Sequence, residues 1–254
     1  MDFDAVLIPA RKEAMLKQGH WLNQTILDFL RSAVERNPDK IALVSVKVEN
    51  QTEQTFSYQQ LWDMTNNIAL GLKQLGVAKN DVVSCQLPNW WELTLLYLAC
   101  SRIGAVLNPL MPIFRERELE FMLKHGESKV FVVPKMFRNF NHEQLANQLQ
   151  NKLESLKHVV VVNGEGENNF DRLLLNHGLE QDASAVAAMD GLESGPDDIT
   201  QLIFTSGTTG EPKGVMHTAN TLFSNIVPYA KRLHLTENDV VLMASPMAHQ
   251  TGFM

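Results

Sequence analysis

DVVSCQLPNWWELTLLYLACSRIGAVL, Asp81 to Leu107, is the stretch on which the fold class turns. Asp81 to Leu87 is a short apolar run carrying two β-branched valines, the pattern of a strand, and Pro88 with Asn89 breaks it. Trp90 to Ile103 is apolar on nearly every side and reads as a mostly buried helix ended by Gly104, after which Ala105 to Leu107 starts a second strand. Upstream, Leu61, Met64, Ile68, Leu72 and Leu75 step along one helical face from Tyr58, and Gly76 stops that helix. Downstream, the cycle repeats. An amphipathic helix spans Arg115 to His125, a strand Lys129 to Val133, a helix near Glu143 to Leu156, and a strand His158 to Val162. Alternation of this kind, with nearly continuous apolar strands, predicts an α/β fold: a mostly parallel sheet flanked by helices on both faces.

The connections NGEGENN (Asn163 to Asn169) and Gln181 to Asp198 read as surface segments, and no internal sequence repeat is found. The second of them suggests a boundary, with an N-terminal α/β subdomain over residues 1–190 and the start of another over 191–254. The 254 residues are 44% hydrophobic and 20% charged, an ordinary globular balance, and a formal charge of −7 argues against a general nucleic-acid or anionic-membrane surface. The most apolar window, Leu93 to Cys100, is far shorter than the roughly 20 residues of a membrane span. The N-terminus carries acids where a signal peptide needs bases, which sets a cytoplasmic expectation. Cys85 and Cys100 lack metal or redox spacing and read as small buried hydrophobes, and no histidine pair has a zinc pattern.

The chemistry sits further on. ITQLIF (Ile199 to Phe204) is an apolar strand that runs straight into TSGTTGEPKG, Thr205 to Gly214. Hydroxyls at Thr205, Ser206, Thr208 and Thr209, glycines at Gly207, Gly210 and Gly214, and the ammonium of Lys213 are the ingredients of a polyphosphate cradle. The glycines turn backbone N–H groups into a concavity, the hydroxyls add donors and the lysine adds a point charge. A P-loop, GxxxxGK[ST], fits only in part: Pro212 stands where its second glycine belongs and Gly214 where its Ser or Thr belongs. Pro212 also opposes a helix running through Lys213, so a strand from Gly214 to His217 and then a helix from Ala219 to Arg232 are expected.

LIFTSGTTGEPKGVMHT (Leu202 to Thr218) resembles the signature phosphate loop of the adenylate-forming superfamily, and SPMAHQTGF (Ser245 to Phe253) resembles its next motif. WWELTLLYLACSRIGAVLNPLMPIFRERELEFML (Trp90 to Leu123) is similar to the fatty and alicyclic acyl-CoA ligase branch, and the resemblance covers about residues 20 to 254. It implies activation of a carboxylic acid by ATP with Mg²⁺, followed by acyl transfer to CoA. Thr205, Ser206, Gly207, Thr208, Thr209, Gly210 and Lys213 would hold the phosphates, Lys213 and Thr205 would act in catalysis, and His249 would border the acid pocket. Members of the superfamily are about twice this long. The resemblance therefore implies an N-terminal fragment, inactive alone, without the C-terminal lid domain and with uncovered apolar surface that favours self-association. Two alternatives stand beside it: an adenylating enzyme that passes its acyl group to a carrier protein or to oxygen, and a non-catalytic structural fragment. Trp90 and Trp91 are expected in the core, and Arg115, Glu116, Arg117 and Glu118 as a solvated helix start.

Overall fold

Val82, Val83, Ser84 and Cys85 are all buried and form the short strand β3 inside a six-stranded sheet. A computed structural model describes residues 7–179, 182–205 and 211–253 of the chain. Before β3 come helices α1 (Pro9–Lys17) and α2 (Ile26–Arg36), the hairpin β1 (Ile41–Lys47) and β2 (Thr52–Ser57), and helix α3 (Tyr58–Gln74). After β3 (Val82–Cys85) follow α4 (Trp91–Arg102), β4 (Val106–Pro109), α5 (Glu116–His125), β5 (Ser128–Pro134), the small pair β6 (Met136–Phe137) and β7 (Phe140–Asn141), α6 (His142–Lys152) and β8 (His158–Val162). A π-helical turn (Asp171–Leu175) and α7 (Ala183–Ala187) lead to β9 (Ile199–Thr205), β10 (Lys213–Thr218), α8 (Ala219–Arg232) and α9 (Gln250–Phe253).

The large sheet runs β10-β9-β4-β3-β5-β8. Every neighbouring pair is parallel except β9 with β10, so the sheet is mostly parallel with an antiparallel edge strand. Side chains alternate across it with the period of two that a pleated strand imposes. Val83, Cys85, Val130, Val132 and Val160 pack on the side of α3 and α4. Phe131, Val133, Val159 and Val161 pack with Leu119 and Leu123 of α5 and Leu145 and Leu149 of α6. Burial on both faces is the reason the strands contain so little polar sequence.

Helix α4 is buried at 10 of its 12 residues because the sheet lies on one side and α2 and α3 on the other. The tryptophans at its start are core residues, Trp91 donating its indole N–H to Gln54 Oε1 at 2.8 Å. Both cysteines are buried and unbridged, and burial pushes the Cys85 thiol up to about 12. Arg115 to Glu118 form an exposed helix start, Glu118 accepting from the Arg115 N–H at 3.1 Å. Helix α3 begins in a capping box between Ser57 and Gln60 and ends before Gly76, whose φ is +78°. It meets the π-helical turn through Gly71, where an added Cβ would stand 2.5 Å from Leu173 O and 2.7 Å from Leu174 Cα.

Over its described residues, 182–198, the stretch read as a surface connection is a strap that is exposed or half-buried everywhere but at two positions. Met189 and Ser194 are buried, and Arg102, 1% exposed, bonds this strap from below. Its guanidinium donates to Asn66 Oδ1 at 3.0 Å, Met189 O at 2.9 Å, Glu193 Oε1 at 2.6 Å and Asp190 Oδ1 at 2.7 Å. A buried guanidinium is tolerated only when its N–H groups find acceptors, and Asp190 and Glu193 of the strap are two of them. On the far side of the strap, β9 joins the same sheet as β4, so the sheet continues across position 190. Among the described residues no helix is long and apolar enough to cross a membrane.

Candidate functional site

Strand β9 begins buried and emerges at its end: Ile199 to Ile203 are buried, Phe204 is partly covered and Thr205 is exposed. It turns back into β10 with Lys213 directly opposite Thr205, Gly214 opposite Phe204 and Val215 opposite Ile203. Thr205 and Lys213 therefore face each other across the mouth of a hairpin, and Thr205 Oγ1 donates to Lys213 O at 3.4 Å. Both are exposed. Ser206, Gly207, Thr208, Thr209 and Gly210 lie outside the described residues. Phe204 anchors the hairpin base, its ring 6.4 Å from Phe121 and 6.2 Å from His125 of α5. Lys213 is the first residue of a strand, whereas the lysine of a P-loop stands at the start of a helix, so the P-loop reading is excluded.

Because β9, β4 and β3 are parallel, Thr205 leaves the sheet at the same edge as Asn89, which follows β3. In open α/β sheets the carboxyl ends of the strands are where ligands bind. The Ser245 to Phe253 segment is tied to this edge. Asn89 Nδ2 donates to Ser245 O at 2.7 Å and Met243 O at 3.3 Å, and Asn89 Oδ1 accepts from Met247 N at 2.8 Å. Tyr97 of α4 holds the other end of the segment, its ring edge-on to Phe253 at 4.8 Å and its hydroxyl 3.4 Å from Thr200 Oγ1 of β9. Burial pushes the Tyr97 phenol up to about 12, so it stays neutral.

His249 is exposed, and it stands immediately before α9. Its Nδ1 accepts from Thr251 N at 3.3 Å, its N–H donates to Pro246 O at 3.0 Å, and its carbonyl accepts from Gly252 N at 2.9 Å. These contacts stay inside the Pro246 to Phe253 turn, while Thr205 and Lys213 meet at the hairpin. The turn is tight: an added Cβ at Gly252 would stand 2.3 Å from Pro246 O. Beside it, an apolar cavity of about 470 Å³ has Phe29, Leu30, Tyr97, Phe223, Met247 and Phe253 in its wall. On β10, burial holds the His217 pKa below its ordinary value, and its Nδ1 lies 3.3 Å from Thr221 Oγ1. Among the described residues no group of three His, Cys, Asp or Glu side chains gathers to hold a metal.

Sequence reading missed Asn89 and Tyr97. Asn89 was legible only as a strand breaker, although a polar residue just past a central parallel strand is a position worth marking. Tyr97 was absorbed into an apolar helix.

The model of the AMP-binding enzyme family matches residues 30–254. The chain belongs to the AMP-binding enzyme family. Among curated AMP-binding relatives, the medium-chain fatty-acid–CoA ligase of Escherichia coli is 34% identical over 244 residues, covering 96% of this chain and 42% of that protein. The 2-hydroxy-7-methoxy-5-methyl-1-naphthoate–CoA ligase of Streptomyces carzinostaticus is 30% identical over 234 residues, covering 91% of this chain and 41% of that one. The chain thus spans about two fifths of the length of these relatives. A solved long-chain-fatty-acid-CoA ligase from Archaeoglobus fulgidus superposes with a TM-score of 0.76 at 26% identity, over 92% of this chain and 44% of that one. The apo structure of MbtA from Mycobacterium smegmatis gives 0.78 at 26% identity, over 96% and 43%. The α/β class and mostly parallel sheet are those of this AMP-binding family.

Proposed function

We propose that this chain supplies the N-terminal part of an acid–thiol ligase. In that reaction a carboxylate attacks the α-phosphorus of ATP, giving an acyl-adenylate and pyrophosphate, and the acyl group then passes to the thiol of CoA as AMP leaves. The observation that carries the reading is the pairing of Thr205 with Lys213 across the mouth of the hairpin that bears the SGTTG loop. Lys213 and the hydroxyls of Thr205, Ser206, Thr208 and Thr209 hold the β- and γ-phosphates in line and offset charge growing on the departing pyrophosphate. Gly207 and Gly210 let the backbone approach the phosphates. His249 borders the acid, and the apolar cavity beside its turn suits a hydrocarbon tail, in keeping with a fatty or alicyclic acid. The described residues offer no set of ligands for Mg²⁺, and no step is assigned to it.

Acid-dependent ATP–pyrophosphate exchange tests this in the longest natural form of the protein, over short, medium and alicyclic acids. Exchange with an aliphatic acid is expected. Lys213→Ala should lower it about 100-fold, while the exposed position keeps the change in folding stability within about 0.5 kcal/mol. Exchange that survives Lys213→Ala, or that no acid elicits, overturns the assignment.

A further inference from the structure

We propose that Asn89 is a positioning residue for the acid-binding side of the site: its carboxamide sets where the Ser245 to Phe253 turn, and with it His249, stands relative to the central sheet. The inference rests on the functional reading above.

An asparagine between a proline and a helix ordinarily bonds its own backbone as a turn residue. Asn89 instead spends both ends of its side chain on a segment more than 150 residues away in sequence, two carbonyls on the nitrogen and one N–H on the oxygen. A carboxamide bonded in this way offers the donor and acceptor of a peptide group, and it docks Met243 to Met247 as a single residue of neighbouring strand would. The three partners must lie near the plane of one amide, so the position of the turn is set to within hydrogen-bond tolerance.

The other handle is Tyr97, whose ring packs on Phe253 while its hydroxyl reaches Thr200. Asn89 thus holds the start of the turn and Tyr97 its end, and His249 lies between them. Upstream there is little to share the task, since Val240 and Leu242 are 91% and 87% exposed. Met247, Ala248 and Phe253 press the turn onto the core, but apolar packing of this kind is non-directional, and the side-chain hydrogen bonds that fix where the turn starts come from Asn89. A displacement of about 1 Å in a positioning group is enough to cost on the order of 100-fold in rate. Because Thr200 belongs to β9, the same helix region frames both motifs, the phosphate hairpin and the His249 turn.

The test uses Asn89→Ala and Asn89→Asp in the longest natural form, reading KM for the acid and for ATP in pyrophosphate exchange, together with amide hydrogen exchange at Met247. Asn89→Ala should raise the acid KM tenfold or more, leave the ATP KM within twofold, and speed exchange at the Met247 amide without changing that at Val83. Asn89→Asp has nearly the same shape and keeps the acceptor for Met247, but turns an anion toward two carbonyls. Its acid KM should also rise, and the defect should shrink as pH is lowered from about 8 to 6 and the carboxyl regains a proton to donate. It serves as the readout if the alanine variant does not fold. Unchanged protection at Met247 overturns the clamp. Loss of protection with both KM values rising together, or a pH-independent defect in Asn89→Asp, overturns positioning in favour of general support. Failure of the functional reading shows separately, as a wild-type protein without acid-dependent exchange whose Met247 protection still depends on Asn89.

Discussion

Asn80 to Val83 and Asn238 to Val241 share the sequence Asn-Asp-Val-Val, and they begin alike. Asp81 accepts from the Ala78 N–H at 2.9 Å and donates its own N–H to Ala78 O at 3.1 Å; Asp239 accepts from the Thr236 N–H at 2.7 Å and donates to Thr236 O at 3.2 Å. After the aspartate the two part. Val82 and Val83 are 1% and 0% exposed inside β3, flanked by β4 and β5, while Val240 and Val241 are 91% and 65% exposed and lie in no strand among the described residues. The turn is a local property of four residues. The strand is not: valine favours a pleated, covered surface, and that preference is realised only where neighbours exist to pair with.

Equal charge insertions separate the two copies most sharply. Val83→Asp buries a carboxylate between two strands and should cost at least about 4 kcal/mol, enough to prevent folding at 25 °C. Val241→Asp changes an exposed position and should stay within about 0.5 kcal/mol in urea titration. Comparable losses at the two sites would break the contrast.

Acid separates them next. His142, buried at the start of α6, has Nδ1 2.9 Å from Gln86 Oε1, and burial first, then Arg115, brings its pKa down to about 4. The fold holds the neutral ring, and an unfolded histidine titrates near 6.5, so stability is full above pH ~6.5 and falls as pH drops toward 4, by on the order of 2 kcal/mol. Asp239 has its pKa held below the usual value by the Thr236 N–H and hydroxyl, so its contribution is present above the ordinary aspartate range and is lost only at lower pH, through its folded pKa. His142→Phe should shrink the upper step of a stability–pH curve, leaving the smaller share that His158 and His217, also held below their ordinary pKa by burial, contribute, and should leave the lower step in place. A curve of unchanged shape would show that His142 does not make the upper step.

The smallest effect concerns association. Exposed Val240, Val241 and Leu242 form an apolar strip with unpaired β propensity, and sedimentation should show the chain self-associating with concentration. Val240→Lys with Leu242→Glu should shift that equilibrium toward monomer by about tenfold or less. A wild-type chain that sediments as a monomer at high concentration would remove the strip as a cause.

Where tertiary neighbours and local pattern agree, the sequence was readable. The spacing of Leu61, Met64, Ile68 and Leu72 marks α3, and β8 and α8 have the bounds their apolar patterns indicate. Residues 7–57 were not assigned: α2 carries a clear capping box at Thr25 and Asp28, but β1 and β2 form a half-exposed hairpin whose alternation is diluted by polar residues. The strap before β9 was legible as a surface connection but its anchor was not, because Asp190 and Glu193 bond Arg102, which sits in the interior about 90 residues earlier. At the candidate site, the hydroxyls, glycines and lysine of TSGTTGEPKG made a phosphate cradle the expectation, and β9 with β10 brings its two ends together. Asn89 carries no such signal, since its three bonds join residues that only the finished sheet makes neighbours.

At Gly71, main chain meets main chain. Helix α3 approaches the π-helical turn so closely that the smallest added side-chain atom would collide with Leu173 O and Leu174 Cα, neither of which is the yielding tip of a side chain. Accommodation there requires two backbones to separate, and Leu174, wholly buried in the main core, would be drawn out with its turn. Tolerance to sequence change is therefore uneven along α3: its leucines can be traded for other apolar residues of like volume, whereas position 71 admits no substituent without moving the helix and the turn apart.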